Sequence, residues 1–136
     1  MIKNLDVLSY DGEGAFKCYI NEKWAVAVKN YKPQSGINNM DCIERHGQTD
    51  ELFVPTVGEC ILVIAEELDG KFTFKAEKLE NGKIYNVKQG VWHNAIMNPD
   101  TKVILVEKPN TGLENTEIVT LNETDVISLR KVASEA

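Results

Sequence analysis

The chain has 136 residues, with 15 basic and 21 acidic side chains and a formal charge of −6, enough length for one hydrophobic core but not for two independent ones. The acidic balance withholds the phosphate neutralisation that drives nucleic-acid binding, so nucleic acid is excluded as an expected partner. The opening MIKNLDVLSYDGEG has no apolar core of signal-peptide length, and no run approaches the roughly 20 apolar residues of a membrane span, so a cytoplasmic protein without membrane contact is expected.

Short runs rich in β-branched and aromatic residues succeed one another: Ala15 to Ile20, Trp24 to Asn30, Asn39 to Arg45, Glu51 to Val57, Cys60 to Glu67, Lys71 to Leu79, Ile84 to Val87, Val91 to Met97 and Lys102 to Lys108. Turn residues separate them, among them Asp69-Gly70, Asn81-Gly82 and Asn98-Pro99-Asp100. Such spacing predicts an all-β sandwich or barrel over residues 1–136, a single domain without internal repeat or linker. Only residues 122–135 carry a helical pattern: Asn122 or Thr124 can cap, Glu123 and Asp125 suit a first turn, and Val126, Leu129 and Val132 recur at helical spacing. Cys18, Cys42 and Cys60 are odd in number and lack CxxC spacing, which reads as reduced thiols rather than a disulfide framework or zinc cluster.

One stretch resists that plain barrel reading. In ERHGQTDELFVPTVGE the apolar strand residues Phe53, Val54 and Val57 follow Glu44, His46, Asp50 and Glu51, groups that are costly to bury unpaired. Strand alternation puts Met40, Cys42, Glu44 and His46 on one face, and Glu51 on a face with Phe53, Pro55 and Val57. If the two strands form a hairpin about Gly47 to Asp50, Glu51 stands beside Glu44 and His46. His93, the only other histidine, shares its face with Val91, Ala95 and Met97. Imidazole and carboxylate together suit Fe(II), Mn(II), Zn(II), Ni(II) or Co(II) and leave coordination positions open for substrate.

The spacing resembles the two motifs of the cupin superfamily. Four residues separate His46 from Glu51 and six separate Glu51 from Gly58, as in the later part of the first motif; Gly82, Gly90 and His93 keep the intervals of the second. The resemblance spans about residues 38–58 and 82–97. Glu44 stands where that family has the first histidine of its His-x-His, Asn38 where it has a glycine, Lys88 where it has a proline and Met97 where it has an asparagine. The resemblance implies a small monocupin: a double-stranded β-helix (jelly-roll) barrel like that of sugar epimerases, with a short C-terminal helix, forming a homodimer. By that resemblance the metal ligands fall on His46, Glu51 and His93, with Glu44 at the fourth position, around a divalent ion such as Mn, Fe, Zn or Ni.

The residues alone leave alternatives open. Glu44 reads as fourth ligand, as a catalytic general base or as a structural partner to a cavity donor, and a carboxylate in a metal-free apolar cavity also suits acid–base work. Met40, Cys42, Phe53, Tyr85 and Met97 are candidate pocket walls. The function expected is a metal-dependent enzyme on a small carbohydrate or carboxylic-acid metabolite; the alternative is a metal-free module that binds or senses a small ligand. No phosphate loop, dinucleotide fingerprint or nucleophile elbow occurs in the chain.

Overall fold

The computed structural model describes residues 2–136. Strand-forming runs with period-two burial sort into two five-stranded antiparallel sheets. One has the order β1 (Gly14–Ile20), β2 (Ala25–Asn30), β9 (Lys102–Glu107), β4 (Glu51–Val57) and β7 (Tyr85–Val87). The other has the order β10 (Thr116–Thr120), β3 (Cys42–His46), β8 (Trp92–Met97), β5 (Cys60–Leu68) and β6 (Lys71–Lys78). β9 lies between β2 and β4, and β8 between β3 and β5, so distant chain segments interleave as in a jelly roll. The fold is the all-β double-stranded β-helix expected, with one short C-terminal helix, α1 (Glu123–Ser134).

Inward residues of both sheets form the barrel core. Ala27, Phe53, Val103 and Leu105 meet Leu62, Ala95 and Met97, and these fill one end of the space between the sheets. A second core lies on the outer face of the other sheet. There Ile43, Val63, Trp92 and Ile96 are covered by α1 through Leu129 and Ala133. Each fully buried Leu or Val contributes about 1.5–3 kcal/mol through lost apolar exposure. The helix starts where its cap sequence says: the Asn122 side chain accepts a 2.8 Å hydrogen bond from the Asp125 backbone N–H. Trp92 and Ile96, on the face opposite His93, belong to this second core, with Phe72 edge-on to the Trp92 ring and the Arg45 guanidinium 4.4 Å above it.

Several local expectations change. The strand expected from Asn39 begins at Cys42, because Pro33–Ser35 forms a 3-10 turn and the Met40 N–H bonds back to the Gly36 carbonyl at 3.0 Å. β10 was not expected; its five residues pair with β3 from Thr116 opposite His46 to Thr120 opposite Cys42. Val57 was expected to point inward, but a bulge between Pro55 and Val57 turns it out, half exposed. The largest correction concerns β3 and β4, which form no hairpin: Gly47 to Asp50 carries the chain from one sheet across to the other. Neighbouring strands hold that crossing, since the Asp50 carboxylate accepts hydrogen bonds from the Gln89 N–H at 2.8 Å and Asn86 Nδ2 at 3.1 Å.

Candidate functional site

Sheet register determines how the chemistry-bearing residues meet. Glu44 on β3 and His93 on β8 are direct cross-strand partners, and His46 lies two residues beyond Glu44 on the same strand face. Glu51 approaches from the facing sheet, at the first position of β4. The four therefore face one another across the gap between the sheets. One ligand atom from each lies within 4.8 Å of all the others. Glu51 Oε1 stands 2.9 Å from His93 Nε2 and 3.3 Å from His46 Nε2, and Glu44 Oε1 stands 3.8 Å from His46 Nε2 and 4.0 Å from His93 Nε2. His93, Glu51 and His46 are buried, while the Glu44 side chain keeps 34% of its surface open to the cavity mouth.

Backbone and side-chain partners set the direction of both imidazoles. His93 Nδ1 donates to the Val91 carbonyl at 2.9 Å, so in the neutral ring Nε2 is a bare lone pair. A bare lone pair 2.9 Å from a carboxylate oxygen is repulsive, so this contact requires a proton between the two atoms or a metal ion held by both. His46 Nδ1 is paired with Thr116 Oγ1 at 2.9 Å, which also directs Nε2 inward. A ring nitrogen held from outside while the other faces the centre is the arrangement metal-binding histidines use. The donor set, two imidazole nitrogens with two carboxylates, suits a hard or borderline divalent ion.

Charges in the cluster shift one another. Burial alone would raise the Glu51 carboxyl, but hydrogen bonds from His46 and His93 and their charges outweigh it and hold Glu51 well below the usual carboxylate range. The His46 imidazole is raised, first by its hydrogen bond to Glu51, against the opposing effect of burial. Glu107, at the end of β9, is pushed up to about 7, first by burial and then by the negative charge and contact of Glu51. Its Oε2 is buried without a hydrogen-bond partner among the described residues.

A cavity of about 270 Å³ opens beside the cluster. Of the expected pocket walls Phe53 lines it and meets the His93 ring edge-on, with centroids 5.8 Å apart. The other four lie elsewhere. Met40 is buried in the core under α1, because the turn before β3 carries it out of the strand alternation. Met97 sits in the apolar end of the barrel, and Tyr85 packs against that core with its hydroxyl accepting the Glu80 N–H at 3.0 Å. Cys42 lies off the cavity, its sulfur 3.7 Å from Asn94 Nδ2 and its thiol raised by burial and then by Asp41. The sequence reading missed Lys17, Lys29, Asn94, Glu107 and Thr116, all of which line the cavity. Glu107 had a readable signal, since it continues the inward alternation of Val103 and Leu105.

No family model matches the chain, and no curated protein matches it in sequence. Solved structures do match. The Streptomyces protein Pac13, described as a nucleoside dehydratase and solved with uridine, superposes with a TM-score of 0.62 at 9% identity, over 92% of this chain and 98% of that one. A double-stranded β-helix protein from Klebsiella pneumoniae gives 0.52 at 16% identity over 85% of this chain and 91% of that one. A cupin-2 domain protein from Shewanella frigidimarina gives 0.52 at 13% identity over 71% and 82%. At such identities the likeness is one of fold. Together with the interleaved sheets, it shows that the chain has the double-stranded β-helix fold of these cupin-type structures.

Proposed function

We propose that this protein is a metal-dependent enzyme acting on a small carbohydrate or carboxylic-acid metabolite held in the barrel cavity. One observation carries the reading: four donors, from strands in both sheets, converge within 4.8 Å beside an open cavity. His46, His93, Glu51 and Glu44 would hold the ion, which when bound supplies Lewis-acid polarisation of a substrate oxygen. The protein's own groups do the rest. The Val91 carbonyl and Thr116 hydroxyl fix the imidazoles, Phe53 and Leu105 exclude water, and Glu107 lines the same cavity as a further carboxyl group able to hold or pass a proton. Glu44, the most open of the four, serves either as fourth ligand or as general base. That the Streptomyces nucleoside dehydratase of similar fold was solved with uridine supports a small polar ligand here, but fold does not select the reaction.

The test is metal content of tag-free protein by inductively coupled plasma mass spectrometry. Wild type is expected to carry about one ion per chain, lost in His46→Ala and His93→Ala. Absence of metal in wild type, persisting after addition of Mn(II), Fe(II), Zn(II) or Ni(II), overturns the reading. A second reading, a metal-free binding module, draws on the contacts of Glu51 with both imidazoles, which a shared proton can satisfy without an ion. Ligand-dependent thermal stabilisation without turnover in chelated protein favours that module. A homodimer belongs to the proposal too. The exposed Phe16, Tyr19 and Ile20 on edge strand β1 support it, and sedimentation equilibrium tests it.

A further inference from the structure

Lys29 is the unexplained charge in the barrel. It continues the inward series Ala25, Ala27, Lys29 along β2 and lines the cavity, half-buried. Yet among the described residues it makes no side-chain hydrogen bond and no ion pair. The exposed lysines without a partner face water, but the two other half-buried ones are bonded: Lys17 to the Thr111 carbonyl, and Lys102 to Asn30 Oδ1 and the Tyr10 carbonyl. In a chain with 21 acidic residues, a half-buried ammonium that lines a cavity and meets no protein carboxylate is left open to an anion from outside.

The rest of the cavity agrees with that complement. Lys17 lies in register across Ala27 from Leu105 and also lines the cavity, its Nζ donating to the Thr111 carbonyl at 2.6 Å. Positive charge thus collects on β1 and β2, while Glu44, Glu51 and Glu107 collect near the histidines. A divalent cation among Glu44 and Glu51 would cancel those two carboxylates and leave the lysines facing Glu107 alone. A neutral ligand would leave Lys29 unpartnered.

We propose that the cavity binds its ligand by a carboxylate, received by Lys29 with Lys17 beside it, opposite the His46–Glu51–His93 cluster. The proposal deepens the metalloenzyme reading by naming an acid, such as a sugar acid or hydroxy acid, as the substrate class. Carboxylate is favoured over phosphate because no arginine lines the cavity and no helix N-terminus reaches it, and these are common phosphate-binding devices.

Isothermal titration calorimetry with three matched probes tests this: glucuronate, glucose and a glucose phosphate ester. Metal content is measured on the same samples. Wild type binds glucuronate at least about tenfold more tightly than glucose, Lys29→Met abolishes that preference, and Lys29→Arg retains it. Metal content is the same in all three proteins. Should Lys29→Met not fold, Lys29→Gln serves in its place. Equal binding of glucuronate and glucose overturns the proposal. So does a preference that survives loss of the Lys29 charge, tighter binding of the phosphate ester, or no glucuronate binding at millimolar concentration. Wild type without metal overturns the metalloenzyme reading instead, while the acid-against-neutral comparison still decides this one.

Discussion

Replacing Glu107 by glutamine should stabilise the metal-free protein in a pH-dependent way. Glu107 stands in the folded chain at about 7 against an ordinary value of 4.5, because burial and then the Glu51 charge disfavour its ionised form. A raised acid works against folding at high pH. Below the unfolded value both states hold the proton and nothing is lost. Between the two values only the unfolded state ionises, so wild-type stability falls as pH rises; above about 7 the deficit is constant. Full desolvation would make that deficit about 3 kcal/mol, and screening at this partly exposed site reduces it to about 1.5 kcal/mol. Glutamine keeps the shape and cannot ionise. Other titrations largely cancel in the comparison: Glu51 is held low and stays ionised over this range, and Glu107 ranks last among the named causes raising His46. The assay is urea unfolding of chelated wild type and Glu107→Gln across about pH 5 to about pH 8. Near the lower limit the two should differ by a few tenths of a kcal/mol, and near the upper limit the variant should lead by about 1.5 kcal/mol. A difference that is flat with pH, or that favours wild type at high pH, would refute the placement of Glu107 against Glu51.

Two further outcomes test the frame around the site. Leu129→Ala should cost about 2–5 kcal/mol in urea unfolding, because this α1 side chain is 0% exposed against the sheet. Metal content should not change, since Leu129 lies on the outer side of the sheet; a loss under about 1 kcal/mol would count against the helix docking described. Gly58→Ala should lower the melting temperature, with a cost of about 1–3 kcal/mol. Gly58 has φ +80°, and a Cβ there would stand 2.5 Å from Thr101 Cα. An unchanged melting temperature would contradict that close approach.

Most of the fold was legible because its signals are local. Alternation over five to nine residues, Gly and Asn at turns, and a capped amphipathic tail each need only near neighbours in the chain, and the nine expected strands and α1 follow from them. β10 was missed for the same reason. Thr116–Thr120 is five residues long, half open to solvent, and held by pairing with β3, some 70 residues earlier in the chain. Its β-branched composition hinted at a strand, but nothing nearby marked a partner.

Partner choice also explains what was and was not legible in the site. Chain spacing brought His46 and Glu51 together, but the expected cause, a hairpin, was mistaken. In a hairpin Glu44, His46 and Glu51 would stand side by side on one sheet, their side chains projecting in one direction. Because β3 and β4 lie in opposite sheets, Glu51 instead points at the histidines across the interior. Glu44, His46 and His93 project from one sheet, and Glu51 closes the cluster from the other. The same topology hid the remaining wall. Lys17, Lys29 and Glu107 reach the cavity on β1, β2 and β9, strands joined to β4 only by tertiary pairing, so no interval in the chain relates them to the motif residues. Their inward parity could be read from alternation, but its consequence could not. A charge on an inward position needs a partner from the protein or from a ligand, and only sheet order shows that these charges surround one cavity.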